Sequence, residues 1–284
     1  MQTHRPSGRR AALVTGASYG IGAAIALELA RDGFDLAVSA TQLKNLNDIV
    51  GKLEAAGARV IPLALNLQSL VSLEHAIDAT IRGFGQLDVL VNNAGVSLHK
   101  RVIDVTPEDW NTVIQTNVAG TFFACQKIGR HLIATGRPGC IVNLASTFGV
   151  IGYAGVSVYG ISKAAIIHMS KMLAVEWAEY NIRVNTVAPG TVETPSRLAT
   201  LSDPELRRTA LERLPLHRFG LPEEIGAAVR YLVSPAAAYI TGQTLLLDGG
   251  LTACGARGVG SLPRHIEPTP LGAAPTSPSA LSRS

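Results

Sequence analysis

The sequence has few cysteines, few aromatic residues and no long hydrophobic run, and each shortage narrows the class of protein. Its three cysteines, Cys125, Cys140 and Cys254, have the spacing of neither a metal site nor a disulfide framework. We therefore expect a reducing, cytoplasmic compartment and no metal. No apolar stretch reaches the ~18 residues of a membrane-spanning helix. The apolar run after the basic residues 4–10 is too short for a signal peptide, so we expect no membrane partner.

Clustered charge is also missing. The formal net charge is +4, but three arginines lie before residue 11 and a net two positive charges lie after residue 250, so residues 11–250 carry a net charge of −1. This distribution argues against a basic face that binds nucleic acid.

Apolar residues make up 47% of the 284-residue chain, enough for one substantial core. Short apolar runs alternate with segments of helical period, which predicts a βαβ series. The predicted strands are Ala11–Val14, Leu36–Ser39, Val60–Leu65, Val89–Val91, Cys140–Leu144, Arg183–Val187 and Thr244–Leu247. The predicted helices are Ile21–Arg31, Leu43–Ala56, Leu70–Arg82, Pro107–Ala134, Val158–Tyr180 and Pro222–Val233. We expect a single α/β domain with a Rossmann-type doubly wound fold, a seven-stranded, mostly parallel sheet and helices on both faces.

The alternating pattern covers residues 11–250, which we expect to form the domain. Residues 1–10 precede it as a basic stretch that we expect to be flexible. Residues 251–284 are rich in Pro, Gly, Ala, Ser and Thr, which predicts a disordered tail, either a dispensable extension or a segment that folds over a neighbouring subunit. Prolines interrupt the helical pattern in Thr191–Leu216. A loop of this length is typical of a functional lid or a disordered segment.

A glycine-rich turn, Thr15 to Gly22, joins the first predicted strand to the first helix. Glycines there allow positive φ angles and close backbone approach, so the N–H groups of the helix N-terminus can meet a pyrophosphate. A plain tight turn is the simpler reading. The same residues also spell the Gly-x-Ser-x-Gly nucleophile elbow of a serine hydrolase around Ser18, although few residues precede it to build an oxyanion loop. A nucleotide-binding module without chemistry is a further alternative.

Tyr159 and Lys163 lie four residues apart on a predicted helix, so both side chains project from one face. An ammonium group beside a phenol, together with an oxidised nicotinamide, stabilises the phenolate and lowers the phenol pKa. Tyr159 then acts as a general acid or base on a carbonyl or an alcohol. An ordinary pair, with the tyrosine in the core and the lysine in solvent, is the alternative.

Taken together, these motifs resemble the short-chain dehydrogenase/reductase family over about residues 10–250. The resemblance extends to Asn92-Asn93-Ala94-Gly95 after a strand, Asn117 in a helix, Ser146 thirteen residues before Tyr159, and Pro189-Gly190 followed by Thr194. It implies an NAD(P)-dependent oxidoreductase that moves a hydride between nicotinamide and a carbonyl or secondary alcohol.

The resemblance also implies individual roles. Tyr159 is the expected general acid or base, Ser146 binds the substrate oxygen, Lys163 binds the ribose, and Asn117 holds a water that links Lys163 to solvent. The implied cofactor-binding residues are Gly16, Ser18, Tyr19, Gly20, Ile21, Gly22, Thr41, Asn66, Leu67, Asn93, Ala94, Gly95, Tyr159, Lys163, Pro189, Gly190, Val192 and Thr194.

Two departures from the family pattern concern the nucleotide. The second strand ends in Ser39-Ala40-Thr41 without the acidic residue that favours NAD, and no arginine marks NADP there. We expect NADP(H) to be favoured over NAD(H), because nothing repels a 2′-phosphate and Lys44 is close in sequence. Asn66 stands where the family usually has aspartate, and its amide oxygen can still accept from adenine.

The predicted substrate contacts are Ser97, Phe148, Tyr153 and Thr191. The surrounding segments carry few fixed charges, so we expect a neutral or weakly polar small molecule: a 3-oxoacyl thioester, a sugar or polyol, a cyclic diol or a ketone. Resemblance further implies assembly through the two long apolar helices and the last strand into a homotetramer or homodimer.

Overall fold

The computed structural model describes residues 8–254. Of the predicted terminal segments, residues 1–7 and 255–284 lie outside that range. Within it, no helix combines the length and apolarity needed to cross a bilayer.

Seven strands form one sheet in the order β3-β2-β1-β4-β5-β6-β7, and every neighbouring pair is parallel. The strands are β1 Ala11–Val14, β2 Asp35–Ala40, β3 Val60–Ala64, β4 Val89–Asn92, β5 Gly139–Leu144, β6 Ile182–Pro189 and β7 Thr244–Leu247. From β1 the strands follow to β2 and β3 on one side, and from β4 they follow to β5, β6 and β7 on the other. The connections that leave the carboxyl ends of β1 and β4 therefore run in opposite directions and leave a crevice between them. The predicted doubly wound fold is confirmed.

Helices cover both faces of the sheet, since the strands are apolar on both sides. The helices are α1 Gly20–Arg31, α2 Asn47–Ala55, α3 Leu70–Phe84, α4 Pro107–Ile114, α5 Gly120–Thr135, α6 Ser157–Trp177, α7 Pro195–Thr200, α8 Pro204–Glu212 and α9 Pro222–Val233. One core cluster packs α1, α2 and α9 against the sheet. A second packs α3, α5 and α6 against the opposite face.

The long helix predicted over 107–134 is interrupted by a π-helical turn, Gln115–Ala119. Asn117 lies in this turn, and its side chain exchanges two hydrogen bonds with the backbone of Val96, Val96 N–H to Oδ1 at 2.8 Å and Nδ2 to the carbonyl at 2.9 Å. The hydrophobic pattern of residues 107–134 is that of one continuous helix. It could not indicate the break, because the bonds to Val96 involve a separate loop.

The segment 191–216 contains two short helices, α7 and α8. The prolines that break the helical pattern in the sequence, Pro195 and Pro204, each occupy the first turn of one of these helices. Proline suits that position because its missing N–H needs no partner there. The prolines therefore start helices rather than mark an unstructured loop.

Residues at both ends of the described range make hydrogen bonds to the rest of the fold. Arg9 donates from Nε to the Gly33 carbonyl at 2.8 Å, and Arg10 donates to the Val233 carbonyl at 3.0 Å. At the other end, Thr252 donates from its N–H to the Asp248 carboxylate at 2.8 Å. Arg9, Arg10 and Thr252 are thus hydrogen-bonded to neighbouring parts of the fold.

A chain of polar side chains crosses the core below the crevice. Asn92 on β4 donates to Asn143 on β5 at 2.9 Å, and Asn143 donates to Ser170 on α6 at 2.9 Å. All three residues are buried. Because a buried polar group is costly to leave unpaired, this chain fixes the positions of β4, β5 and α6 relative to one another.

We expect Asn143→Ala to lower the free energy of unfolding by about 2–3 kcal/mol, because it leaves the Asn92 amide and the Ser170 hydroxyl without their shared partner. Chemical denaturation measures the change. The exposed Glu54→Ala on α2 is the control, with an expected change within about 0.5 kcal/mol. If Asn143→Ala lowers the free energy of unfolding as little as the control does, the hydrogen bonds between Asn92, Asn143 and Ser170 contribute nothing to stability.

Candidate active site

A cleft of about 840 Å³ opens at the carboxyl ends of β1 and β4. Its lining contains most of the predicted cofactor residues: Gly16, Ser18, Tyr19, Gly20, Ile21, Gly22, Thr41, Asn66, Leu67, Asn93, Ala94, Gly95, Tyr159, Lys163, Pro189 and Thr194. Ser97, a predicted substrate contact, also lines it. The cleft therefore joins the glycine turn at one end to the tyrosine–lysine pair at the other.

The glycine turn leaves a cradle that side chains would fill. Gly16 and Gly20 have φ angles of +65° and +60°, and a Cβ atom on Gly22 would lie 2.2 Å from the Gly16 carbonyl oxygen. Helix α1 begins at Gly20 with no side-chain hydrogen bond from its N-cap residue, Tyr19. The first N–H groups of α1 thus remain available to an anion, and the residues present fit the pyrophosphate of a dinucleotide.

Thr15 and Asn93 hold the turn in place. Asn93 Nδ2 donates to the carbonyl oxygens of Thr15 and Gly16 at 3.0 and 2.9 Å. The Thr15 hydroxyl accepts from the N–H groups of Asn93 and Ala94 at 3.0 and 3.1 Å. Asn93 therefore positions the phosphate-binding turn in addition to bordering the cleft, a role that the motif alone did not indicate.

The cleft lining also contains three residues that the sequence analysis did not single out, Asn45, Gln68 and Thr116, together with Ser39 at the end of β2. The buried hydroxyl of Ser39 has no hydrogen-bond partner among the described residues, so it is an available polar group beside the predicted adenosine site. The amide oxygen of Asn66 already accepts from the Gln68 N–H at 3.0 Å.

Helix α6 presents Tyr159 and Lys163 to the other end. The Lys163 ammonium lies 5.6 Å from the centroid of the Tyr159 ring and donates to the Leu144 carbonyl, at the end of β5, at 2.8 Å. Ser146 follows that strand, is buried, and hydrogen-bonds the Tyr159 side chain. The structure therefore brings together the three side chains expected to carry the chemistry.

Burial dominates the electrostatics of this pair. It raises the pKa of Tyr159, an effect opposed by the hydrogen bond with Ser146 and by the charge of Arg197. Burial also lowers the pKa of Lys163 to about 8. The lowered Tyr159 pKa expected from the lysine is thus not a property of the protein alone; the added positive charge of an oxidised nicotinamide would be needed to produce it.

Asn117 contacts helix α6 close to Tyr159 and Lys163 through Ser162. Besides its bonds to Val96, its Nδ2 donates to the Ser162 hydroxyl at 3.0 Å, and Ser162 in turn donates to the Tyr159 carbonyl at 2.7 Å. Both protons of the Asn117 amide are therefore used within the protein. The side chain thus supports helix α6; Ser162, which completes the connection, was missed by the sequence analysis.

Several predicted residues lie away from the cleft lining. Phe148 and Tyr153 contact each other, with ring centroids 5.0 Å apart. Thr191 lines a neighbouring cavity of about 430 Å³. Gly190 packs against Asp248, whose Cα would lie 2.9 Å from an added Cβ, and Val192 pairs with Gly220 in a short bridge.

Ser18 has no catalytic partner of the kind a hydrolase needs. No hydrogen bond joins it to a histidine or a carboxylate within residues 8–254, and it lies in the turn that leads into α1. An activated serine requires an adjacent base, so the hydrolase alternative has no structural support.

A doubly wound sheet, a glycine turn after its first strand and a tyrosine–lysine pair in the same cleft define the class of nucleotide-dependent oxidoreductases. A family model described as enoyl-(acyl carrier protein) reductase matches residues 16–252. The chain belongs to the short-chain dehydrogenase/reductase family, whose enzymes act with NAD(P) on CH–OH and C=O groups.

Three relatives show the extent of the match. The chain is 40% identical over 240 residues to 3-oxoacyl-(acyl-carrier-protein) reductase from Thermotoga maritima, covering 84% of this chain and 96% of the relative. It is 32% identical to 2-dehydro-3-deoxy-D-gluconate 5-dehydrogenase from Escherichia coli, covering 85% and 94%. A crystal structure of an actinorhodin polyketide ketoreductase variant with NADPH matches with a TM-score of 0.82 at 34% identity, covering 86% and 97%.

We expect Lys163→Met to stabilise the protein at neutral pH by about 1–3 kcal/mol while removing activity, because the fold lowers the pKa of this buried ammonium from 10.5 to about 8. The gain should be complete below pH 8. It should decline above pH 8 and vanish as the pH rises towards 10.5, since the lysine of the unfolded wild type then also loses its proton and folding no longer requires its release. Thermal denaturation across pH measures it.

Lys171→Met, on an exposed position of the same helix, is the matched control. It should leave stability nearly unchanged at every pH. If Lys163→Met is instead less stable than the wild type at pH 7, burying the Lys163 ammonium does not lower the stability of the wild type as expected.

Proposed function

We propose that the protein transfers a hydride between a nicotinamide cofactor and a carbonyl or secondary alcohol, with Tyr159 as general acid or base. The observation that carries this proposal is the position of Tyr159, Ser146 and Lys163 at one end of the cleft, with the phosphate cradle at the other. A dinucleotide that places its pyrophosphate on the glycine turn extends along the cleft towards Tyr159.

The cofactor, when bound, supplies the hydride for reduction or accepts it in oxidation. In reduction the carbonyl carbon gains the hydride, and the Tyr159 phenol gives its proton to the carbonyl oxygen, which yields the alcohol. The Ser146 hydroxyl stabilises the charge that develops on that oxygen. Solvent then returns a proton to Tyr159. Lys163 orients the ribose of the cofactor through its ammonium group.

Burial raises the pKa of Tyr159, so the phenol is protonated at neutral pH and can serve as the general acid in reduction. Oxidation needs the phenolate, and an oxidised nicotinamide with its positive charge would favour it. The candidate substrates remain 3-oxoacyl thioesters, sugars or polyols, cyclic diols and ketones. Two of these classes appear among the relatives, as a 3-oxoacyl thioester reductase and a sugar-acid dehydrogenase.

A binding module without chemistry is the alternative, and Tyr159→Phe separates the two. We expect this variant to lose at least about 100-fold in kcat, because it removes the proton donor, while it still binds NADPH. The assay follows absorbance at 340 nm with a panel of ketones and 3-oxoacyl thioesters. Glu54→Ala, exposed on α2 and absent from the cleft lining, is the control and should retain turnover.

A wild type that binds NADPH but turns over no carbonyl or alcohol would favour the binding module. Equal turnover by Tyr159→Phe would exclude Tyr159 as the proton donor.

We propose that NADP(H) is the preferred cofactor. The end of β2 and the segment that joins it to α2 place no acidic side chain in the cleft lining; Ser39, Thr41 and Asn45 line it instead. Lys44 is exposed beside them. Hydroxyl, amide and ammonium groups can bind a 2′-phosphate, whereas a carboxylate would repel it. A structural relative contains NADPH.

We expect kcat/KM for NADPH to exceed that for NADH by about 10-fold, the effect of one charge-assisted interaction. Steady-state kinetics with both nucleotides at a fixed carbonyl concentration measures the ratio. Thr41→Asp should reverse the preference by repulsion, and Thr41→Ala should change it little. A tenfold preference of the wild type for NADH would contradict the proposal.

We further propose that the protein assembles as a homotetramer or homodimer in the cytoplasm. Helix α6 exposes Met172 and Val175, and the edge strand β7 exposes Leu245 and Leu246. Apolar groups of this kind are typical of surfaces that pack against another copy. Cys125, Cys140 and Cys254 are free thiols, which agrees with a reducing compartment.

A further inference from the structure

The lid, residues 191–216, begins inside the cleft. Thr194 lines the cleft together with Tyr159. It also lies against the glycine turn, since a Cβ on Gly20 would be 3.0 Å from its Cγ2 atom. Helices α7 and α8 follow. Because α8 has no buried residue, the position of the lid depends on the few side-chain contacts that α8 makes with other elements.

Most contacts of α8 are with residues close to it in sequence. Arg207 pairs with Glu193 at 3.3 Å. The helix also packs against a small apolar cluster whose buried members are Leu201, Leu214 and Phe219. These contacts hold the lid together as a unit. They do not connect it to the loop that carries Ser146.

Arg213, the C-cap residue of α8, makes that connection. Its guanidinium donates to the Tyr153 hydroxyl at 3.2 Å, and the guanidinium carbon lies 5.8 Å from the centroid of the Tyr153 ring. The contact therefore combines a hydrogen bond with a cation–π interaction. Among the residues that the structure describes, no other side-chain hydrogen bond or ion pair joins α8 or its C-cap to residues 146–156.

Tyr153 in turn contacts the loop of Ser146. Its ring packs on that of Phe148, with 5.0 Å between the centroids. The Phe148 N–H donates to the Ser146 hydroxyl at 3.3 Å. A Cβ on Gly160, the residue after Tyr159, would lie 2.8 Å from the Phe148 carbonyl oxygen. The end of the lid is thus joined, through two aromatic rings, to a loop that packs directly against the catalytic part of helix α6.

We propose that Tyr153 and Arg213 determine specificity, because their contact holds the lid between the glycine turn and the Ser146 loop and limits the width of substrates that reach Tyr159. A linear carbonyl compound enters with the contact intact, whereas a ring has to separate Arg213 from Tyr153. This inference rests on the proposed hydride transfer at Tyr159 and names the substrate class for it: linear rather than cyclic carbonyl compounds.

The test compares two 3-oxo esters with the same number of carbons, methyl 3-oxoheptanoate and the cyclic methyl 2-oxocyclohexanecarboxylate, each reduced with NADPH. We expect the wild type to favour the linear ester. Tyr153→Phe, which keeps the ring, and Arg213→Met should each raise kcat/KM for the cyclic ester by about 3- to 10-fold, because the ring no longer has to break the contact. Both should change the linear ester by less than about twofold.

The double variant should exceed the larger single effect by little, since both substitutions remove the same interaction. Arg213→Lys keeps the cation and should restore part of the wild-type preference. The controls are Tyr239→Phe and Arg130→Met, which change exposed side chains outside the lid and the cleft lining; they should leave the ratio of the two esters unchanged. A wild type that favours the cyclic ester, or variants that change both esters equally, would overturn the inference.

Limited proteolysis tests the contact itself without a substrate. Cleavage by glutamyl endopeptidase after Glu205 requires local opening of α8. With NADPH bound, Tyr153→Phe and Arg213→Met should speed this cleavage by about 3- to 10-fold, while their melting temperatures stay at that of the wild type. Unchanged cleavage would overturn the inference alone. A wild type that reduces no carbonyl compound would overturn the proposed function and the width limit with it, so the two failures are distinguishable.

Discussion

The ammonium group of Lys163 is enclosed by the structure and donates to the Leu144 carbonyl at 2.8 Å. Only 5% of the residue is exposed. Enclosure is possible because the end of β5, helix α6 and the loop after β4 converge there; a Cβ on Gly95, in that loop, would lie in ordinary contact with Nζ, at 3.6 Å. The fold thus accepts a buried charge that lowers stability in order to hold a cation under the phenol.

The two sides of the site rest on different kinds of support. Tyr159 and Lys163 are on a helix of 21 residues that is tied to the sheet through Asn143 and Ser170 and to the π-helical turn through Ser162 and Asn117. The proposed substrate side rests on α7 and α8, which have six and nine residues. The catalytic geometry is therefore fixed by the buried polar chain, while the lid has far fewer constraints and can differ between relatives that share the same chemistry.

Much of the fold could be predicted from the sequence, because strands buried on both faces give short apolar runs that alternate with helical periods. The glycine turn and the Tyr159–Lys163 spacing were also predictable, since both depend on neighbours in sequence. Three features were not. The break at Asn117 depends on the distant backbone of Val96, the pairing of Asn93 with Thr15 joins two separated strands, and the rise in the Tyr159 pKa reflects burial, which only the folded chain defines.

The two cations near Tyr159 differ in how they respond to pH, and this difference follows from their chemistry and burial. Lys163 has its pKa lowered to about 8 by burial, so its charge is lost as the solution becomes mildly alkaline. Arg197 is a guanidinium, which stays protonated throughout the range in which proteins are stable. Lys163 on helix α6 therefore carries a charge that depends on pH, whereas Arg197 on helix α7 carries a permanent charge.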